Sequence, residues 1–316
     1  MNKFLVRLLL FSTLLFLLIF LMGIEIEKKD YESDYMAAMI DKHNKLDKTT
    51  GPRLIFAGGS STSFGVDSKK IEKEFNIPVT NLAMVAGLGL DFMLNEIETK
   101  MREGDIVILS TEYYLEMDGS YELKLYTAKC FPDANQYFRH DYVKDLTTVK
   151  FKQIKNNFGY LIERLFKRSQ SAPDTATDFT TAFIHRSAFN EYGDMVGHIG
   201  KRPPPKLFYR NYIPYHYYEG IERMNKFYET AQKKKVKIFF VYNAYAKSTY
   251  NLNEETIKKY HSDLVKDLKI PIIGQPGDFI YDDSLFFDTT YHLAPEGREL
   301  RTQKLIQLLK TLNCFK

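Results

Sequence analysis

Two stretches of this chain carry residue types that could do chemistry together. The first, IFAGGSSTSFGVDS (Ile55 to Ser68), closes an apolar run with Gly58 and Gly59 and then presents Ser60, Ser61 and Ser63. It is not a phosphate-binding loop of the G-x-x-x-x-G-K-[ST] type, because five residues separate Gly59 from Gly65 and Val66 follows where a lysine is required. A second glycine cluster, AGLGLDF (Ala86 to Phe92), offers Gly87 and Gly89 without a third glycine and follows a later strand-like run, so a dinucleotide fingerprint is also unsupported. A serine placed just after a strand gains backbone N–H groups that can face an oxyanion. The same composition makes an ordinary polar turn, and this stretch alone does not separate the two.

A nucleophilic serine needs a base, and the base needs a group that orients it. Of the seven histidines, His43 lies in a polar stretch near the N-terminus and His261 on a polar helix face; His140, His185, His198 and His216 fall in an irregular middle region that suits structural roles. His292 differs. It sits in SLFFDTTYHLAPEG, after the last strand-like run and before the final helix, with Asp288 four residues earlier. That spacing on a loop lets a carboxylate hold one imidazole nitrogen while the other faces outward. An Asp and His that merely cap a helix would look similar; the serine in a matching topological place favours catalysis.

The elements that must position these residues alternate. RLIFAG reads as a buried strand, DSKKIEKEFN as an amphipathic helix capped by Asp67 or Ser68, IPVTNLAM as a strand, LDFMLNEIETKMREG as a helix closed by Gly104, and DIVILST as a strand. After residues 115–215 the rhythm resumes with GIERMNKFYETAQKKK (helix), VKIFFVYNAY (strand), NEETIKKYHSDLVKDL (helix), IPIIG (strand) and PEGRELRTQKLIQLLKTL (helix, Pro295 in its first turn). The pattern predicts a flavodoxin-like three-layer α/β/α sandwich of about five parallel strands, with its site at the carboxyl ends of the strands. The middle, 115–215, reads as an insertion that is helical in part, with SQSAPDTATD and KRPPPK as loops.

The chain has 316 residues, 27% charged and 44% hydrophobic, the balance of a folded protein with a sizeable core. Its net charge of +4 and the lack of a basic stripe with interleaved aromatics argue against nucleic acid. Tyr (22) and Phe (24) are abundant and Trp is absent; on loops such rings suit carbohydrate contact, and elsewhere they fill the core. Residues 1–24 begin with Lys3 and Arg7 and continue as an uncharged apolar stretch to Ile24, close to the roughly 20 residues that cross a bilayer. No small-x-small cleavage site follows, so the segment reads as an uncleaved signal anchor rather than a removed signal peptide. The flanking Lys3 and Arg7 predict a cytoplasmic N-terminus, with the rest of the chain facing the periplasm or the cell exterior. Residues 25–51 read as a juxtamembrane helix or tether, and 52–316 as the α/β domain. Cys130 and Cys314 could pair in an oxidising compartment, though nothing requires it, and no Cys-x-x-Cys zinc motif is present.

Taken in order, the serine turn, the Asn81 and Gly87 region after the second strand, and Asp288 with His292 before the last helix resemble the SGNH (GDSL-like) hydrolase superfamily. The resemblance covers 53–114 and 235–312. It implies Ser60 as nucleophile with Ser61 as its close rival, His292 as base, Asp288 as its partner, and the backbone N–H groups of Ser60 and Gly87 as an oxyanion hole. The chain departs from the family pattern in three places. Gly59 stands where the family has Asp, Asp288-x-x-x-His292 is one residue longer than usual, and VILSTEYYLEM replaces the block that normally carries an asparagine. Thr111, Glu112 or Tyr113 are left to line that part of the substrate site. With the N-terminal anchor, the chain is similar to membrane-anchored bacterial relatives that accompany membrane-bound O-acyltransferases in acetylating exported polysaccharides. The implied activity is an extracytoplasmic serine esterase or O-acetyltransferase without metal or diffusible cofactor. The alternative, which the missing asparagine block keeps open, is a non-catalytic glycan-binding or scaffolding partner of such an acyltransferase.

Overall fold

The structure is a computed structural model that describes residues 2–22, 31–113, 117–145, 184–204, 206–208 and 217–315, with short pieces between 150 and 159. The chain divides into two compact units, one of residues 1–30 with 139–178 and one of 31–138 with 179–316.

In the first unit, helix α1 (Asn2–Met22) is 21 residues long, about 31 Å at 1.5 Å per residue, matching the roughly 30 Å hydrocarbon core of a bilayer. Its apolar side chains are exposed all round, from Leu15 and Ile19 at 44% to Phe16 at 72%. It is one helix long and apolar enough to span a membrane. The last two residues of the expected 1–24 anchor lie outside the described residues.

The second unit is built on a sheet of five strands: β1 (Leu54–Gly58), β2 (Val79–Asn81), β3 (Ile106–Ser110), β4 (Lys237–Val241) and β6 (Ile272–Ile273). Their order is β2-β1-β3-β4-β6, and every pairing is parallel. β1 and β3 are buried at every position, which is why they read as unbroken apolar runs instead of alternating ones. Two further short strands, β5 (Tyr245–Ala246) and β7 (Ile280–Tyr281), pair in parallel beside it. The β1–β3 register sets Gly58 opposite Ser110. Ser60 and Glu112 therefore each lie two residues beyond neighbouring strand ends.

Parallel strands need crossover connections. α3 (Ser60–Gly65) and α4 (Ser68–Phe75) link β1 to β2, α5 (Leu90–Lys100) links β2 to β3, α7 (Tyr218–Lys233) precedes β4, α8 (Lys247–Asp267) joins β5 to β6, and α9 (Pro295–Leu309) closes the chain. Asp67 caps α4 by accepting the Lys70 N–H at 3.2 Å, as its position predicts. Two helix boundaries differ from the sequence reading by about a turn or more. α5 ends at Lys100 with Met101 extended, so Gly104 (φ +90) belongs to the following turn. α8 begins at Lys247, six residues before Asn253, because Asp283 from a distant segment accepts the Ser248 N–H at 3.0 Å and caps the extra turns.

The expected tether is corrected where it is described. Residues 31–51 hold α2 (Ala38–Lys48), and Tyr35 through Met39, Lys42, His43 and Leu46 are buried. The apolar positions scattered through a polar sequence form one stripe on a helix. His43 is therefore a core residue, bonded to Glu96 at 2.7 Å, rather than part of a linker. Of the 115–215 stretch, the described residues up to 138 and from 184 onward also belong to the second unit. α6 (Tyr121–Cys130) and the turn that follows bring Cys130, Phe131, Ala134, Tyr137 and Phe138 into a cluster with Tyr35, Phe64, Phe92, Met195 and Phe287. Cys130 and Cys314 are both free thiols.

Candidate active site

Ser60 opens α3, immediately after β1 and Gly59. Gly59 has an extended backbone that any residue adopts (φ −89°, ψ −164°), so its glycine is needed for space. A Cβ there would lie 2.6 Å from Glu112 Cδ. Ser60 is half-buried, whereas Ser61, Thr62 and Ser63 are fully buried. The turn is held from beneath. Thr62 Oγ1 donates to the Ser110 carbonyl at 3.2 Å, and Arg301 Nη1 donates to the Ser61 carbonyl at 2.9 Å.

The base arrives from the loop before α9. Thr289 Oγ1 accepts the N–H groups of Tyr291 (3.2 Å) and His292 (3.1 Å), a local turn that a threonine side chain favours. The Phe287 N–H bonds the His292 carbonyl at 2.8 Å and closes the loop. Phe208 N–H donates to the Asp288 carbonyl at 2.7 Å from outside it. Phe64, one turn along α3, stacks on the imidazole with centroids 4.0 Å apart and planes 8° apart, which fixes the ring plane.

The resulting geometry is a relay. Asp288 Oδ1 lies 2.8 Å from His292 Nδ1, and His292 Nε2 lies 2.8 Å from Ser60 Oγ. With the proton on Nδ1, the ring donates to Asp288 and accepts from the Ser60 hydroxyl, the arrangement a general base requires. The Asp288 and His292 side chains are each 16% exposed, open enough for a substrate and shielded enough for the charge pair to matter.

Ser61 is set aside as nucleophile, since its Oγ is buried without a hydrogen-bond partner. The residues after β3, expected to line the substrate site, are deeply buried. Thr111, Glu112 and Tyr113 are only 4%, 3% and 1% exposed. Tyr113 turns into the core, where its ring lies 5.2 Å from that of Tyr245 and 5.8 Å from that of Tyr260. A tyrosine behind a fully buried strand has apolar surface to bury, and burial pushes its phenol pKa well up. Glu112 turns the other way and accepts the Ser61 N–H on Oε1 at 3.3 Å. Burial raises its carboxyl pKa, against the opposing influence of its own N–H, the Ser61 N–H, His292 and Arg301. Gly87 sits in the single turn Ala86–Leu88 after β2, where its carbonyl accepts the Ser120 N–H at 2.7 Å. A Cβ on Gly87 would meet only Leu123 and Val85 within 4 Å.

Behind the serine turn lies a polar network that sequence reasoning missed. Arg301 is 1% exposed, and its Nη2 donates to Ser110 Oγ and Asn243 Oδ1, both at 3.1 Å. Burial pulls its pKa down to about 10. The signal was available: Arg298, Arg301, Thr302, Leu305 and Leu309 share the buried stripe of α9, so two arginines fall on an inward helical face. His198, beside Phe64 with centroids 4.8 Å apart, bonds the Leu293 carbonyl at 3.1 Å. Burial first, and Arg298 next, pull its pKa down to about 4. No group of three or more His, Cys, Asp or Glu side chains able to hold a metal occurs among the described residues. Comparison with protein-family models and with curated proteins returned no match.

Proposed function

We propose that this chain is a serine esterase or O-acyltransferase of SGNH type, in which an acyl group passes through Ser60. The observation that carries the reading is the unbroken relay from Asp288 to His292 to Ser60, with both links at 2.8 Å. Ser60 Oγ attacks the acyl carbonyl while its proton moves to His292 Nε2, and Asp288 steadies the imidazolium that forms. When the tetrahedral adduct collapses, the bond to the leaving oxygen breaks and that oxygen takes the proton from His292. The acyl-serine is then attacked by water or a sugar hydroxyl, whose proton His292 accepts and returns to Ser60 Oγ. The Ser60 N–H has no acceptor among the described residues and is available to the oxyanion. Gly87 at the same end of the sheet is the expected second backbone donor.

The parallel sheet order supports a flavodoxin-like sandwich, the architecture expected of this family. The apolar helix α1 supports a single-pass anchor in the bacterial cytoplasmic membrane, with the α/β unit in the periplasm. On that reading the acyl acceptor or donor is an exported polysaccharide, and the partner is a membrane-bound O-acyltransferase. The test uses the full-length protein in detergent with p-nitrophenyl acetate. Turnover that disappears in Ser60→Ala and in His292→Ala, and survives in Ser61→Ala, is the expected result. No turnover by the wild type, with intact glycan binding, would instead establish a non-catalytic role.

A further inference from the structure

A buried carboxyl group stands against the nucleophile turn, held by a backbone N–H. Glu112 is 3% exposed and forms no salt bridge among the described residues. The register that sets Gly58 opposite Ser110 puts Glu112 alongside Ser60 at the same edge of the sheet. Gly59 leaves the room it occupies, as an added Cβ would approach Glu112 Cδ to 2.6 Å. Oε1 accepts the Ser61 N–H, which fixes the carboxyl in place.

The charged groups around it are few. His292 and Arg301 face it, with Asp288 beyond the imidazole, and the nearby phenols of Tyr113 and Tyr260 are neutral. Arg301 directs its guanidinium at the Ser61 carbonyl, Ser110 Oγ and Asn243 Oδ1 instead of at Glu112. An ionised carboxylate so placed would repel the negative charge that develops on an acyl oxygen beside Ser60. A neutral carboxylic acid in the same position would bind it through its O–H.

We propose that Glu112 is a catalytic residue that works as a neutral acid, donating its O–H to the oxyanion formed when Ser60 attacks an acyl carbonyl. The inference rests on the serine-esterase reading and completes its oxyanion hole. Glu112 keeps its proton throughout: the Ser60 proton goes to His292, the oxyanion shares the Glu112 O–H as a hydrogen bond, and collapse of the adduct restores the carbonyl and the unchanged acid. Burial favours this protonated form, as the raised carboxyl pKa reflects. Activity is present while Glu112 holds its proton and is lost as pH rises through its folded-state pKa.

The experiment measures kcat/KM for p-nitrophenyl acetate across the pH range, using the full-length protein in detergent. The comparison includes wild type, Glu112→Gln, Glu112→Ala and Ser60→Ala. Gln keeps an N–H donor but cannot ionise. The expected result is that Glu112→Gln retains at least about tenfold more activity at neutral pH than Glu112→Ala and loses the alkaline fall. Glu112→Ala drops about 10²–10³-fold, the cost of one oxyanion donor. Glu112→Ala within threefold of wild type would overturn the proposal, as would an alkaline fall that persists in Glu112→Gln or a Gln variant as inactive as Ala. The control separates the two claims: turnover surviving in Ser60→Ala sinks the serine-esterase reading itself. Turnover abolished there, with Glu112 variants off their expected pattern, sinks only the role of Glu112.

Discussion

Replacing Asp288 by Asn tests the relay at its least ambiguous bond. His292 Nδ1 and Asp288 Oδ1 are 2.8 Å apart, and both side chains are 16% exposed. An imidazolium formed during attack is then stabilised by a carboxylate whose charge centre lies about 4 Å away. At an effective dielectric constant of about 20 that attraction is ~4 kcal/mol, or about 10³ in rate. Asn removes it and does further harm. Its amide can donate to Nδ1, which moves the ring proton to Nε2 and points an N–H at Ser60 Oγ, where an acceptor is needed. The combined loss is expected to reach about 10⁴, the scale known for this change in a serine triad. Asp288→Ala leaves the ring free to take either tautomer and is expected to lose no more than the Asn variant. The assay is kcat/KM for p-nitrophenyl acetate, with thermal unfolding to show that the loop still folds. An Asn variant that retains more than a tenth of wild-type activity would refute the assignment of Asp288.

Three further outcomes follow from the same geometry. His198 is buried neutral with its pKa depressed to about 4 from 6.5, so the unfolded chain binds the extra proton between these values and stability falls as pH drops through that window; urea midpoints should show a shallower fall in His198→Phe. Gly59→Ala should cost about 1–3 kcal/mol because its Cβ meets Glu112, and a double-mutant cycle with Glu112→Ala should recover most of that loss; simple additivity would show that the two do not touch. Because both cysteines are free, reductant should change neither gel mobility nor Tm; a reductant-dependent Tm would reveal a Cys130–Cys314 bridge.

The sequence carried the five sheet strands because buried parallel strands announce themselves as short β-branched and aliphatic runs between helices, as RLIFAG and DIVILS do. It carried Ser60, Asp288 and His292 because topology places the end of the first strand and the loop before the last helix on the same sheet edge. Other features depend on contacts between distant segments, which local pattern does not encode. Residues 31–51 look like a tether until Tyr35, Met39 and Leu46 meet Phe92 and the rest of the core. α8 gains its first turns only because Asp283 caps it. The triplet Thr111-Glu112-Tyr113 reads as one polar cluster, yet successive side chains beyond a strand diverge, sending Tyr113 into the aromatic core and Glu112 under the serine.

The most direct test of the central claim is to treat the full-length protein with a fluorophosphonate and map the modified peptide by mass spectrometry. Attack by an activated serine displaces fluoride and leaves a stable phosphonyl ester. A single adduct on Ser60, absent in His292→Ala, is the expected result. An adduct on Ser61, or no adduct on a folded protein, would contradict it.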